Sequence, residues 1–105
     1  MPTVEYAGRA VRTSDEGFLL DPAEWTREVA EAIAKEAGVW PLTDAHWTVI
    51  DFCRADARRE GQPPGLRRIS TNSGVDMKTL YRLFPKGPGR LAARIAGLPK
   101  PQSCV

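Results

Sequence analysis

The sequence predicts a mainly α-helical protein with a small N-terminal β-hairpin, an α+β arrangement, and three observations point to it. Apolar residues recur at intervals of three and four inside segments bracketed by capping and breaking residues, which is the spacing of amphipathic helices. Strict alternation is confined to the residues before Thr13, where it suits a short pair of strands. From Gly97 to Val105 there is no period at all, and Pro99 and Pro101, two positions apart, favour an extended course, which marks a C-terminal arm. One domain is expected, with hairpin and clasp over 1–20, a helical body over 21–97 and a cysteine-bearing arm over 98–105.

Val4 and Tyr6, then Ala10 and Val11, flank a turn at Gly8 and form the hairpin. Ser14-Asp15-Glu16-Gly17 is a polar turn, and Phe18, Leu19 and Leu20 make an apolar clasp ahead of the first helix. Asp21 is the expected cap of that helix, with Pro22 in its first position and Glu24 three residues beyond the cap. Trp25, Val29 and Ile33 follow at intervals of four, with Ala30, Ala34 and Ala37 beside them, as a stripe for burial in which Trp25 is read as core. Arg27, Glu28, Glu31 and Lys35 face outward, and Gly38 ends the helix. A second helix, capped by Thr43 or Asp44, carries His46, Trp47, Val49, Ile50, Cys53 and Ala57. Cys53 lies on its apolar stripe and is read as a buried, unreactive thiol, and His46 in the first turn is read as structural.

Arg54, Arg58 and Arg59 suit the negative end of the second helix before Gly61-Gln62-Pro63-Pro64-Gly65 breaks the chain. A short helix begins at Leu66-Arg67-Arg68-Ile69-Ser70, Asn72-Ser73-Gly74 turns, and Asp76 caps a helix from Met77 to Phe84, together a helix-turn-helix. A last helix from Gly89 to Ala96 directs Leu91 and Ile95 inward and Arg90 and Arg94 outward.

The composition, 42% hydrophobic and 27% charged, is that of a soluble globular chain. No apolar run is long enough for a membrane helix and the start lacks the pattern of a secretory signal, so the expected location is the cytoplasm. Two cysteines, Cys53 and Cys104, and one histidine provide neither a disulfide framework nor a four-ligand metal set; no cofactor is expected. The net charge of +2 conceals a division: residues 1–50 hold four Lys/Arg and nine Asp/Glu (net −5), and residues 51–105 hold eleven and four (net +7). A basic second half suits an anionic partner.

Cys104 is the candidate reactive residue. A thiolate is a nucleophile that can hold a sulfane sulfur as a persulfide. In an extended arm, the residues from Leu98 to Cys104 would carry that sulfur on the order of 20 Å from the body, into the active site of another protein. Lys100, Arg94 and Arg90 are candidates for docking the arm or attracting anionic partners, with Arg67 and Arg68 able to meet the same partners or RNA phosphate. A competing reading takes Ile69 to Phe84 as a DNA-binding regulator, with Lys78, Thr79, Tyr81 and Arg82 on the recognition helix.

Tyr81-Arg82-Leu83-Phe84-Pro85-Lys86-Gly87-Pro88, then Ile95-Ala96-Gly97-Leu98-Pro99-Lys100-Pro101 and the penultimate Cys104, closely resemble the C-terminal signature of the DsrC/TusE family of sulfur-carrier proteins. Gly17-Phe18-Leu19 and His46-Trp47 are similar to that family as well, so the resemblance runs almost from end to end. It implies a β-hairpin packed on an orthogonal helical bundle, a helix-turn-helix-like element and a mobile C-terminal arm whose sulfur-carrying cysteine falls on Cys104. It also implies sulfurtransferase activity without a cofactor. In the tRNA-thiolation branch that cysteine takes persulfide sulfur from an upstream sulfur-relay complex and passes it to the tRNA thiolase that makes wobble 2-thiouridine. In the dissimilatory branch, whose partners are sulfite-reductase-type proteins, a second cysteine stands eleven residues earlier; here that residue is Ala93. One thiol can accept a sulfur and hand it on but cannot close an intramolecular disulfide, so the resemblance favours the single-cysteine relay type.

Overall fold

The computed structural model describes residues 2–102, and among them the secondary structure is a two-stranded antiparallel hairpin followed by five α-helices. Strand β1 (Thr3–Tyr6) pairs with β2 (Arg9–Arg12) in the register Val4 to Val11 and Tyr6 to Arg9. Ala7 and Gly8 both take positive φ, the geometry of a tight hairpin turn. The hairpin buries Tyr6 and Val11 inward. The clasp after it is held by Ser14, whose amide donates to the Phe18 carbonyl and whose hydroxyl accepts from the Phe18 amide. Phe18 and Leu19 are thereby driven into the core, while Leu20 stays exposed.

The first helix differs from the expected one. Asp21 does cap, but it caps only a 3₁₀ turn over Pro22–Glu24, its carboxylate accepting from the Ala23 amide. Glu24 turns away to the Arg12 amide and guanidinium instead of back to the cap. Helix α1 (Arg27–Ala37) starts anew at Thr26, whose hydroxyl accepts from the Val29 amide. Trp25 therefore sits between the two pieces in extended backbone and is half-buried, not on the α1 stripe. Val29, Ala30, Ile33 and Ala34 form that stripe.

Helix α2 (Asp44–Glu60) is capped by Thr43 in a reciprocal box with His46: the imidazole Nδ1 accepts from the Thr43 amide at 3.0 Å. The other ring nitrogen, Nε2, donates to the Leu83 carbonyl at 3.0 Å and the ring meets Phe84 edge-on, so one side chain ties the start of α2 to the end of helix α4 (Met77–Leu83). Helix α3 (Leu66–Asn72) and α4 form the helix-turn-helix, with Phe84 as the fully buried cap residue of α4. Helix α5 (Pro88–Ile95) is the central element, touching α1, α2, α3 and α4. Its inward residues Ala92 and Ala93 are small, which allows those helices to close around it.

One charged residue lies among the core side chains. Asp56, on the inner side of α2, is fully buried and accepts from Arg68 Nε and Nη2 at 2.8 Å each and from Arg59 Nη2 at 2.8 Å. The bidentate Arg68 contact pins α3 to α2. Hydrogen bonding from Arg68 outweighs the cost of burial and holds the Asp56 carboxyl below the usual carboxylate range. A depressed folded pKa contributes stability that is complete above the unfolded value of about 3.9 and is lost as the pH falls through the folded one. Asp56→Asn should therefore lower unfolding free energy by about 2–4 kcal/mol at neutral pH, because two guanidinium groups lose the negative charge and one of the two acceptor oxygens that they share. In urea titrations the deficit relative to the parent should narrow as the pH falls below about 4.

Candidate functional site

The cysteine-bearing arm leaves the body through a clamp built from Trp25, Arg54 and Gly97. The Trp25 indole Nε1–H donates to the Ile95 carbonyl at 2.9 Å, which anchors the ring over the end of α5. Arg54, from α2, lies 4.0 Å from the centre of the same ring and donates through Nη1 to the Ala96 carbonyl at 2.9 Å. Two of the free carbonyls at the α5 terminus are thus satisfied by side chains from elsewhere in the fold. Gly97 then passes beneath the indole with φ +73; a Cβ there would stand 2.4 Å from Trp25 Cδ1. Trp25 is consequently a platform for a cation and for the backbone, not simply core.

The arm does not project from Leu98 as its prolines suggested. Leu98 is 4% exposed and its amide donates to the Ala93 carbonyl at 3.0 Å. Pro101 is buried, and Lys100 Nζ lies 3.1 Å from Glu16 Oε1. Burial of Leu98 and Pro101 favours a docked path over the extended reach computed from an isolated proline segment.

Glu16 also accepts from Arg90 Nη2 at 2.8 Å, so one carboxylate from the loop after β2 gathers two of the cations singled out in the sequence. Arg94 pairs with Glu36 on α1, which also accepts from the Tyr6 hydroxyl at 3.1 Å. Arg90, Arg94 and Lys100 are brought together along one side of the arm root, held by Glu16 and Glu36. Arg67 and Arg68 are not part of that group; Arg68 is engaged with Asp56, and Arg67 is exposed on α3. Lys78, Tyr81 and Arg82 are exposed on α4, and Thr79 is half-buried.

Cys53 is 1% exposed, and burial followed by the nearby Asp56 charge pushes its thiol up to about 12. It is protonated at neutral pH and unreachable, as its place on the apolar stripe indicated. Ala93 is buried on α5. Cys104 lies outside the described residues. Sequence reasoning missed Arg54 and Glu16 as arm-holding residues. Their partners stand 42 and 84 positions away, and no local pattern announces such pairs.

The family described as DsrC like protein matches residues 5–105. The chain belongs to the DsrC-like family. Among curated relatives of this DsrC-like protein, the gamma subunit of dissimilatory-type sulfite reductase from Nitratidesulfovibrio vulgaris is 37% identical over 105 residues, covering all of both chains. The sulfurtransferase TusE of Yersinia pseudotuberculosis is 36% identical over 109 aligned positions, covering 97% of this chain and 100% of that one. The crystal structure of the oxidized gamma subunit (DsrC) from Archaeoglobus fulgidus superposes with a TM-score of 0.83 at 37% identity, covering 99% of this chain and 100% of that chain. The resemblance read from the C-terminal signature and the hairpin-on-helices fold are both borne out.

Two substitutions separate backbone strain from close packing in this DsrC-like protein. Gly38, also at positive φ, has nothing within 4 Å of a built Cβ. Gly38→Ala should cost about 1–2 kcal/mol from the left-handed backbone alone. Gly97→Ala adds collision with Trp25 and should cost roughly 2–5 kcal/mol. Chemical denaturation of both variants measures the difference, and equal losses would mean that the indole does not confine the chain at Gly97.

Proposed function

We propose that this protein is a sulfur carrier whose Cys104 accepts a persulfide sulfur from one protein and delivers it to another. The observation that supports this most is the state of the other thiol: Cys53 is sealed in the core with its pKa at about 12, so sulfur chemistry in a DsrC-like chain with two cysteines falls to Cys104. In the exchange, the Cys104 thiolate attacks the outer sulfur of a donor persulfide. A new S–S bond forms on Cys104, the donor S–S bond breaks, and its electron pair leaves with the donor thiolate. No external oxidant or reductant enters. A second partner takes the outer sulfur in the same way and returns the Cys104 thiolate.

The exchange needs no general base from the body, whose part is positioning. Clamping Gly97 and burying Leu98 and Pro101 fix the course of the arm root, which lowers the entropy lost when a partner docks on it. Ala93 leaves α5 without a thiol that could pair with Cys104, which favours a one-thiol relay in tRNA wobble-uridine thiolation, between an upstream sulfur-relay complex and a tRNA thiolase. A second reading, a role beside sulfite-reductase-type proteins, is favoured by one observation. The match to the sulfite reductase gamma subunit spans 105 positions and all of both chains, whereas the TusE match needs 109 positions to cover 97% of this one.

Incubation with a persulfide donor followed by intact-mass spectrometry tests the carrier reading. The parent and Cys53→Ala should each gain one sulfur atom, and Cys104→Ser should gain none while keeping the parent's circular dichroism. Sulfur retained by a folded Cys104→Ser chain would refute the assignment. Sulfur delivered to a tRNA thiolase, against sulfur exchanged only with a sulfite reductase, separates the two readings.

A further inference from the structure

Beside the arm root is a cavity of about 320 Å³ that the sulfur chemistry does not use. Its walls include Ala57, Pro63, Leu98 and Pro99, and its lining is mostly apolar. The charged side chains on it are Arg54 and Arg58, with no carboxylate among the described lining residues. Arg54 is drawn inward by Trp25 and the Ala96 carbonyl. Burial and then the like charge of Arg58 press its pKa below the usual value, with Asp51 opposing. Arg58 itself is exposed and has no hydrogen bond or carboxylate partner among the described residues. Two guanidinium charges that repel one another therefore border an apolar hollow.

An occupant that relieves both conditions has an aliphatic side chain to displace water from the hollow and an adjoining carboxylate to accept from Arg58. A nucleic-acid phosphate would meet the arginines but leave the apolar walls wet. We propose that this cavity docks an acidic segment of a partner protein, in which a leucine-sized side chain lies next to a carboxylate. Leu98 and Pro99 form one wall, so the docked segment touches the arm where it leaves the body. Its effect on presenting Cys104 rests on the sulfur-carrier reading; the binding itself does not.

The test is a titration of the 105-residue chain with the blocked dipeptide acetyl-Leu-Asp-amide, read by NMR at the methyl groups of Ala57 and Leu98. Saturable shifts are expected in the millimolar range. They should weaken by about tenfold with Arg58→Glu, and by a similar factor when the probe carries Asn in place of Asp, as loss of one charge-assisted contact implies. Cys104→Ser should bind as the parent does. Absence of saturable shifts, or equal shifts from the two dipeptides, would overturn the proposal. A nuclear Overhauser contact between Val105 and Ala57 in the free chain would also overturn it, by making the chain's own terminus the occupant. If the dipeptide binds as expected but Cys104 takes up no sulfur, the docking site stands and the carrier reading falls.

Discussion

The passage of Gly97 beneath the Trp25 indole is the constraint around which the rest of the molecule is arranged. It requires a residue without a side chain, a ring held in place and a helix end that stops at a fixed point. The ring is held because its Nε1–H reaches the Ile95 carbonyl and the Arg54 guanidinium stacks on it while bonding Ala96. The helix end is fixed because α5 is enclosed by four other helices and packs through small inward residues. Cation stacking and hydrogen bonding that remain partly shielded from solvent are each worth on the order of 1 kcal/mol. Their value here is directional, since together they decide where the chain departs from the body.

Electrostatics continue the same task. The acidic first half and basic second half are complementary within the molecule: Glu16 gathers Arg90 and Lys100, and Glu36 takes Arg94. The ion pairs made by Glu16 are solvent-exposed, and pairs of that kind contribute little stability. Such weak pairs can be rearranged at little cost, whereas the Asp56 cluster with Arg68 and Arg59, buried at its carboxylate, belongs to the permanent scaffold. Cations of the same formal charge thus do different work according to the burial of their partners.

Much of the fold was legible because its punctuation is local. Thr43, Asp76, Gly38 and Gly61 occupy the caps and stops assigned to them, the hairpin turns at Gly8, and Cys53 sits on the buried face that its spacing predicts. The errors share a cause. Asp21 and Pro22 announce a helix start, but Thr26 is a second cap five residues later, and Trp25 is needed outside the helix to cover Gly97. The proline pair of the arm states a local preference, while the apolar groups of Leu98 and Pro101 state a burial preference, and burial prevails. Asp56 lies three residues after Cys53, so a carboxylate on the buried face was visible, but its arginine partners follow from the crossing of α3 and α2, which no spacing encodes. The C-terminal signature singles out Cys104 by resemblance alone, and the structure shows how the chain that leads to it is rooted at Gly97 and Leu98.

Amide hydrogen exchange at Leu98 tests that rooting most directly. With the Trp25 clamp closed and the Leu98 amide bonded to Ala93, its protection should match that of Ile95 and Ala96 at the end of α5. Exchange at Leu98 at the rate of an open chain, with Ile95 and Ala96 still protected, would contradict the account, because the arm would then begin at Gly97 with nothing holding its course.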